Sequence, residues 1–308
     1  MISMKKTNLS KDIKYIISRI FESDVVSLRK ISSAHINMLY EAKLKGTKKS
    51  LILKMYNEDW KAEKEAFVYR DIRAHIDIPV PIVYITDDSK KLLPYAYNIM
   101  SKMEGMQIDK SYKKYGNKRL FKQAGEVLSK LHHIRFHKYG WLYKNQINPA
   151  FNRWRDFVWY DVEQKLSKLK KVKKVMRLIG DIEDFLNKYD AFLDVTSKPS
   201  LLHKDFHCSH ILTNRKEVTG IVDTEWAMAG HSEFDFMKME LWVFNRFKGI
   251  KNAFYNGYSK HGHISHNYPE RKKLYELLHW VNMINISNEI SNRVWLEHNI
   301  QQLKKFLK

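Results

Sequence analysis

One stretch, LLHKDFHCSHILTNRKEVTGIVDTEWAMAG from Leu201 to Gly230, holds most of the side chains able to do chemistry. Asp205 follows the apolar pair Leu201-Leu202 in a polar loop, and Asp223 stands 18 residues later at the end of the run Val218 to Asp223. Ile211-Leu212 and Val218 to Asp223 flank the turn Asn214-Arg215-Lys216-Glu217, a hairpin pattern that folds the two carboxylates back toward each other. Phosphoryl transfer to a hydroxyl requires such a pair. One carboxylate orients the acceptor, and the other holds the Mg²⁺ that neutralises the nucleotide phosphates. The same two acids could instead be turn formers. Lys54, inside the apolar run Leu51-Ile52-Leu53-Lys54-Met55-Tyr56, could place a point charge on those phosphates if Glu63 or Glu65 of the following segment holds it. It could also be an edge-strand lysine facing water.

These residues need elements to position them. Val25 to Ile31, Met38 to Lys43 and Ser50 to Tyr56 are short apolar or alternating runs separated by Ser-rich or Lys/Gly-containing turns, which predicts three strands. Glu58-Asp59 open a helical pattern carrying Ala62, Ala66, Phe67, Tyr69 and Ile72, and Pro79 and Pro81 stop it. Val80 to Thr86 and Tyr95 to Met100 add two strands, and Met103-Glu104-Gly105 leaves this small, mostly antiparallel sheet. From Leu120 the period is helical: Phe121, Ala124, Leu128 and Leu131 share a face, and helical patterns return over 153–193 and from 270 onward. The expected class is α+β.

In this order, the motifs resemble those of the aminoglycoside phosphotransferase and choline kinase group, small-molecule kinases with a bilobal protein-kinase-like fold. The resemblance runs from about residue 25 to 260. His203-Lys204-Asp205-Phe206-His207-Cys208-Ser209-His210 resembles the catalytic loop, His-Gly-Asp, four intervening residues, Asn. Ile221 to Ala227, continuing to Gly230 and Asp235, resembles the metal-binding segment, and the helix end Leu131-His132 fits the same pattern.

The resemblance implies a nucleotide-binding lobe over 1–104, an antiparallel sheet with one helix. A mainly helical lobe over 105–308 would carry the catalytic loop, the metal segment and the acceptor site. It implies Asp205 as catalytic base with His203 and Lys204 beside it, and Asp223, with Glu225 and His210, as the Mg²⁺ site. Lys54, partnered by Glu65, would touch the phosphates of ATP or GTP. Ser33, in the Ser32 to Asn37 segment, would lie in the phosphate-covering loop, and the backbone of Ser101 and Met103 would meet the base. Three positions depart from the pattern. His210 replaces Asn, as in some macrolide kinases, Lys204 replaces Gly and adds a cation beside Asp205, and His231-Ser232 replaces Asp-Pro. The implied reaction moves the γ-phosphoryl group to a hydroxyl of a small molecule, with an antibiotic of aminoglycoside or macrolide type as favoured acceptor. A metabolite alcohol such as choline or a sugar is the alternative acceptor, and a catalytically weak pseudokinase or basic binding module the alternative class.

Composition sets the frame. The 308 residues can bury a sizeable core, and 44% hydrophobic with 13% aromatic content excludes a disordered chain despite a net charge of +21. The single Cys208 excludes an intrachain disulfide framework. With a polar Met1 to Asp12 and no apolar run long enough for a bilayer, the expectation is a cytoplasmic protein, monomer or dimer, with no membrane contact. Lys165 to Arg177, KLSKLKKVKKVMR, reads as one basic amphipathic helix able to meet RNA, anionic lipid or an acidic substrate, or to be a solvated face. No nucleic-acid reader motif accompanies it, so no specific nucleic-acid partner is expected. His203, His207, Cys208 and His210 also fall within eight residues and could bind a transition metal, although their spacing resembles no structural zinc pattern.

Overall fold

The computed structural model describes residues 9–31 and 36–308. The described chain begins with helix α1 (Leu9–Phe21), followed by strands β1 (Val25–Ile31), β2 (Met38–Leu44) and β3 (Ser50–Met55), helix α2 (Trp60–His75), and strands β4 (Val83–Asp87) and β5 (Tyr97–Ser101). The five strands form one antiparallel sheet in the order β1-β2-β3-β5-β4. Lys54 therefore lies on the central strand, opposite Leu39 on one side and Asn98 on the other, and not on an edge. Strand β4 starts later than its apolar run because Pro81 has no N–H for the ladder.

Helix α1 is an addition to the expected lobe, which carries two helices where one was expected. Ile13, Ile16 and Ile17 recur at helical spacing and are buried against Tyr40, Leu44, Leu53 and Ile99 of the sheet. The polar residues around them conceal that stripe in a composition-level reading.

The larger lobe runs through β6 (Met106–Gln107), α3 (Ile108–Tyr115), α4 (Arg119–Leu131), β7 (Gly140–Tyr143), β8 (Gln146–Ile147), α5 (Trp154–Leu169), α6 (Lys173–Met176) and α7 (Ile179–Tyr189). Strands β9 (Ser200–Leu202), β10 (Ile211–Thr213), β11 (Val218–Ile221) and β12 (Met228–Gly230) follow, then α8 (Met237–Trp242), α9 (Ile250–Tyr258), α10 (Tyr268–Glu289) and α11 (Arg293–Phe306). The hairpin of β10 and β11 pairs Ile211 with Ile221, while β9 pairs with β12 beside it. Helices α4 and α9 cross closely at two glycines. A Cβ on Gly125 would stand 2.0 Å from the Phe254 carbonyl oxygen, and one on Gly257 1.8 Å from that of Lys122. This crossing anchors the end of α4, which His132 follows.

The basic run at 165–177 is not one helix. Helix α5 ends at Leu169 and α6 begins at Lys173, with Val172 extended between them. Several of its charges are paired within the protein: Lys165 with Asp161 at 2.5 Å, Lys168 with Glu289 at 3.0 Å and Lys174 with Glu297 at 2.8 Å. No helix among the described residues is long and apolar enough to cross a membrane.

Candidate active site

Lys54 meets three carboxylates. Its Nζ lies 2.9 Å from Glu65, 2.7 Å from Asp223 and 2.9 Å from Glu225, and its side chain is 5% exposed. Burial alone would discharge it, but the three acids outweigh burial and hold its pKa well above the ordinary lysine value. Glu65, on the buried face of α2, also accepts from the Tyr56 and Tyr69 hydroxyls and from the Thr224 N–H, and Tyr69 Oη accepts the Asp223 N–H at 2.8 Å. One glutamate therefore fixes both the lysine and the turn carrying Asp223. Glu63, on the same helix, pairs instead with Lys144 at 3.0 Å.

Asp205 has the opposite surroundings. Lys238 Nζ contacts its Oδ1, His207 Nε2 lies 3.2 Å away, and His210 Nδ1 donates to its backbone carbonyl at 2.8 Å. Burial would raise its pKa, but Lys238, His210 and His207 outweigh burial and hold the carboxyl well below its usual range. His210 bridges the two acids, with Nε2 3.2 Å from Asp223 Oδ2. Burial works against its charge, yet Asp205 and Asp223 raise its pKa to about 9. As placed, both His210 ring nitrogens are directed at oxygens, Nδ1 at the Asp205 carbonyl and Nε2 at the Asp223 carboxylate.

The loop itself is braced from below. Asp235 accepts the backbone N–H groups of His203 at 2.6 Å and Lys204 at 2.7 Å, and His132 Nε2 lies 3.2 Å from it. His203 is fully buried. Its Nδ1 accepts the Asp205 N–H at 3.2 Å and its Nε2 donates to the Val222 carbonyl at 3.1 Å, joining the loop of Asp205 to the segment of Asp223 through a ring that burial keeps neutral, with a pKa of about 4. That geometry makes His203 a positioning residue.

Lys204 does not stand against Asp205. It occupies a left-handed turn at φ +62°, a conformation that favours Gly, and its Nζ lies 3.2 Å from the Phe234 ring centroid. Burial, followed by the repulsion of Lys165, lowers its pKa to about 7. The cation on Asp205 is Lys238, at the start of α8. Sequence reading passed over Lys238 because no motif marks a lysine 33 residues downstream.

Other expected residues divide cleanly. Asp223 keeps a side chain 35% exposed. Glu225 is 3% exposed, with Oε2 bound by Lys54 and Asn37 and Oε1 3.7 Å from Lys61, so it is part of the lysine cage. The Ser101 N–H donates to the Ile82 carbonyl at 2.8 Å within the sheet, and Met103 packs beside Gly220. Ser33 lies outside the described residues. Asn37, from the same segment, reaches Glu225.

The four-ligand transition-metal cluster does not form. Asp205, His207 and His210 offer atoms within 4.8 Å of one another, but His203 and Cys208 stand outside this group. Burial pushes the Cys208 thiol up to about 12, which also removes it as a nucleophile.

A family model described as a phosphotransferase enzyme family matches residues 27–275. A protein of Pasteurella multocida described as a probable ketoamine kinase is 27% identical over 190 residues, covering 59% of this chain and 60% of that relative. The chain thus matches less than two thirds of that relative's length. The crystal structure of aminoglycoside phosphotransferase APH(4)-Ia superposes with a TM-score of 0.77 at 16% identity over 97% of this chain and 98% of that one. A thermostable APH(4)-Ia mutant in ternary complex with AMP-PNP and hygromycin B gives a TM-score of 0.74 at 15% identity, over 96% and 97% of the two chains. A structure assigned as a fructosamine-3-kinase of Haemophilus somnus gives 0.70 at 18% identity, over 97% and 98%. At these identities the structures establish the bilobal kinase-like fold. With the family model spanning about four fifths of its length, the chain belongs to the phosphotransferase enzyme family.

Proposed function

We propose that the protein transfers the γ-phosphoryl group of ATP or GTP to a hydroxyl of a small molecule. The observation that carries this reading is the convergence of Asp205, Asp223 and Lys54, from two segments of one lobe and the central strand of the other, about the His210 bridge. Asp205 is placed to orient the acceptor hydroxyl and take its proton. Lys54 is preorganised to give its charge to the nucleotide phosphates, with Glu65 holding it while Asp223 turns to other work. Asp223 fits Mg²⁺ as a partly open carboxylate, and the ion would supply neutralisation of the transferring phosphate charge. All the residues brought together come from one chain, so a monomer suffices. A nucleotide-consuming reaction and a single buried thiol agree with action in the cytoplasm.

Relatives of both substrate types support two acceptor classes, the antibiotics and the ketoamines. The transfer reaction itself is tested by Mg²⁺-dependent nucleotide turnover. Asp205→Asn should lower it by about 10²-fold or more with the thermal transition retained. Turnover that survives in a folded Asp205→Asn protein would sink the reading.

A further inference from the structure

The wall beside Asp205 is not an acidic one. From Asp223 to Glu240 the chain carries five acids, and the structure engages each of them. Asp223 and Glu225 serve Lys54, and Asp235 holds the loop. Glu233 pairs with Arg271 at 2.7 Å, while Glu240 pairs with Lys272 at 2.7 Å and Lys251 at 3.0 Å. A polycationic acceptor finds no free carboxylate on this segment. What faces Asp205 is Lys238, 17% exposed, with its Nζ 4.8 Å from the Trp242 ring centroid.

The half-buried Trp242 ring meets His207 at 5.3 Å on one side and His279 at 5.4 Å on the other. His279 is 6% exposed, and its Nε2 is a buried polar atom with no hydrogen-bond partner among the described residues. An orphaned ring nitrogen beside an aromatic platform and a lysine calls for a polar ligand. A flat aromatic surface suits the carbon face of a polyol, and a lysine suits a carboxylate.

We propose that Lys238, Trp242 and His279 form an acceptor subsite for polyols bearing a carboxylate, and that Lys238 masks Asp205 until such an acceptor binds. The inference rests on the phosphotransfer reading. The acceptor carboxylate draws Lys238 Nζ off Asp205 Oδ1, which keeps only the 3.2 Å contact with His207 and turns a lone pair to the acceptor hydroxyl. The hydroxyl proton passes to Asp205, a bond forms from the acceptor oxygen to the γ-phosphorus, and the bond to the bridging β,γ-oxygen breaks, releasing the nucleoside diphosphate. A sugar acid, or a sugar joined to an amino acid that keeps its carboxylate, has this chemistry.

The test uses the full chain with Mg²⁺ and ATP, and reads ADP release with water alone and with three matched polyols: D-gluconate, sorbitol and N-methyl-D-glucamine at equal ionic strength. The wild type should be accelerated by the anionic polyol about tenfold or more over the cationic one, the size of one charged hydrogen bond. Lys238→Met should erase that preference while raising the Asp205-dependent rate with water severalfold. Equal rates with all three polyols, a cationic preference, or a preference retained in Lys238→Met overturns the subsite. A uniform loss of turnover in Lys238→Met overturns the mask, as for a lysine that serves only the γ-phosphate. Absence of Asp205-dependent turnover under every condition instead fails the phosphotransfer reading itself.

Discussion

The two lobes meet at sites of inverted charge. On the sheet side a single cation, Lys54, sits among Glu65, Asp223 and Glu225, and on the helical side a single anion, Asp205, sits among Lys238, His210 and His207. His210 joins them by reaching Asp223. The central charge of each cluster is compensated within the protein, yet the burial of the two clusters differs. Glu65 and Glu225 are almost wholly buried and gain their charge compensation from Lys54 alone or nearly so, whereas the groups on Asp205 are 13% to 17% exposed. The sheet-side cluster is therefore a structural clamp as well as a binding group. The helical-side cluster is open to exchange with a ligand.

The largest expected effect breaks the clamp. Lys54→Met removes one charge and leaves buried Glu65 without its cation and Glu225 with only Lys61 at 3.7 Å, a change that costs about 3–5 kcal/mol in buried pairs. Lys238→Met, on the more open side, should cost about 1 kcal/mol, because His210 and His207 remain on Asp205. Denaturant unfolding of the two variants checks the contrast, and equal losses would remove the distinction between the centres. The Lys54→Met deficit should also depend on pH. Burial already raises Glu225, against the opposing pull of Lys54. A carboxyl raised in the folded state favours folding below its unfolded pKa and loses that contribution as pH rises through the folded value. Without Lys54 the rise is greater, so the deficit should be wider at pH 8 than at pH 5.

Much of this pairing was legible in the chain. The hairpin pattern around Asn214 to Glu217 was enough to bring Asp205 and Asp223 together, and an apolar strand followed by an acidic helix was enough to suggest Lys54 with Glu63 or Glu65, between which the family resemblance chose Glu65. Both are consequences of local pattern. Lys238 and His279 were not legible, because they reach the site through the packing of α8 and α10 and not through any spacing to Asp205. The break between α5 and α6 was hidden for a related reason: Lys170 to Val172 keep the helical alternation of apolar and basic residues while the backbone turns. The β7 pairing with β12 joins residues from 140 to 229, a separation no local pattern reports.

The bridge offers a smaller perturbation. His210 titrates above its ordinary value, at about 9, so the stability it contributes is fully present below its unfolded pKa near 6.5 and is lost as pH rises through 9. Wild-type Tm should fall across that window by a few degrees more than the Tm of His210→Asn, which has no such proton to lose. Parallel Tm profiles from pH 6.5 to 9.5 would show that the bridge is not ionic.

The smallest effect separates a cation that acts on Asp205 from one that only borders it. Lys204 holds a left-handed backbone at φ +62°, which costs an L-residue about 1–2 kcal/mol relative to glycine, and its Nζ rests on Phe234. Lys204→Ala keeps the strain and loses the contact with Phe234, while Lys204→Gly loses both. Glycine should therefore be the more stable of the two by about 1 kcal/mol, and lie within about 1 kcal/mol of the wild type, since relief of strain offsets the lost contact. Because Asp235 fixes the loop through backbone N–H groups that either substitution retains, turnover in Lys204→Gly should stay within about threefold of the wild type. An alanine variant as stable as the glycine one would refute the strain at this turn. A large loss of turnover in both would place Lys204 with Lys238 on Asp205, and the asymmetry between one acting cation and one bordering cation would disappear.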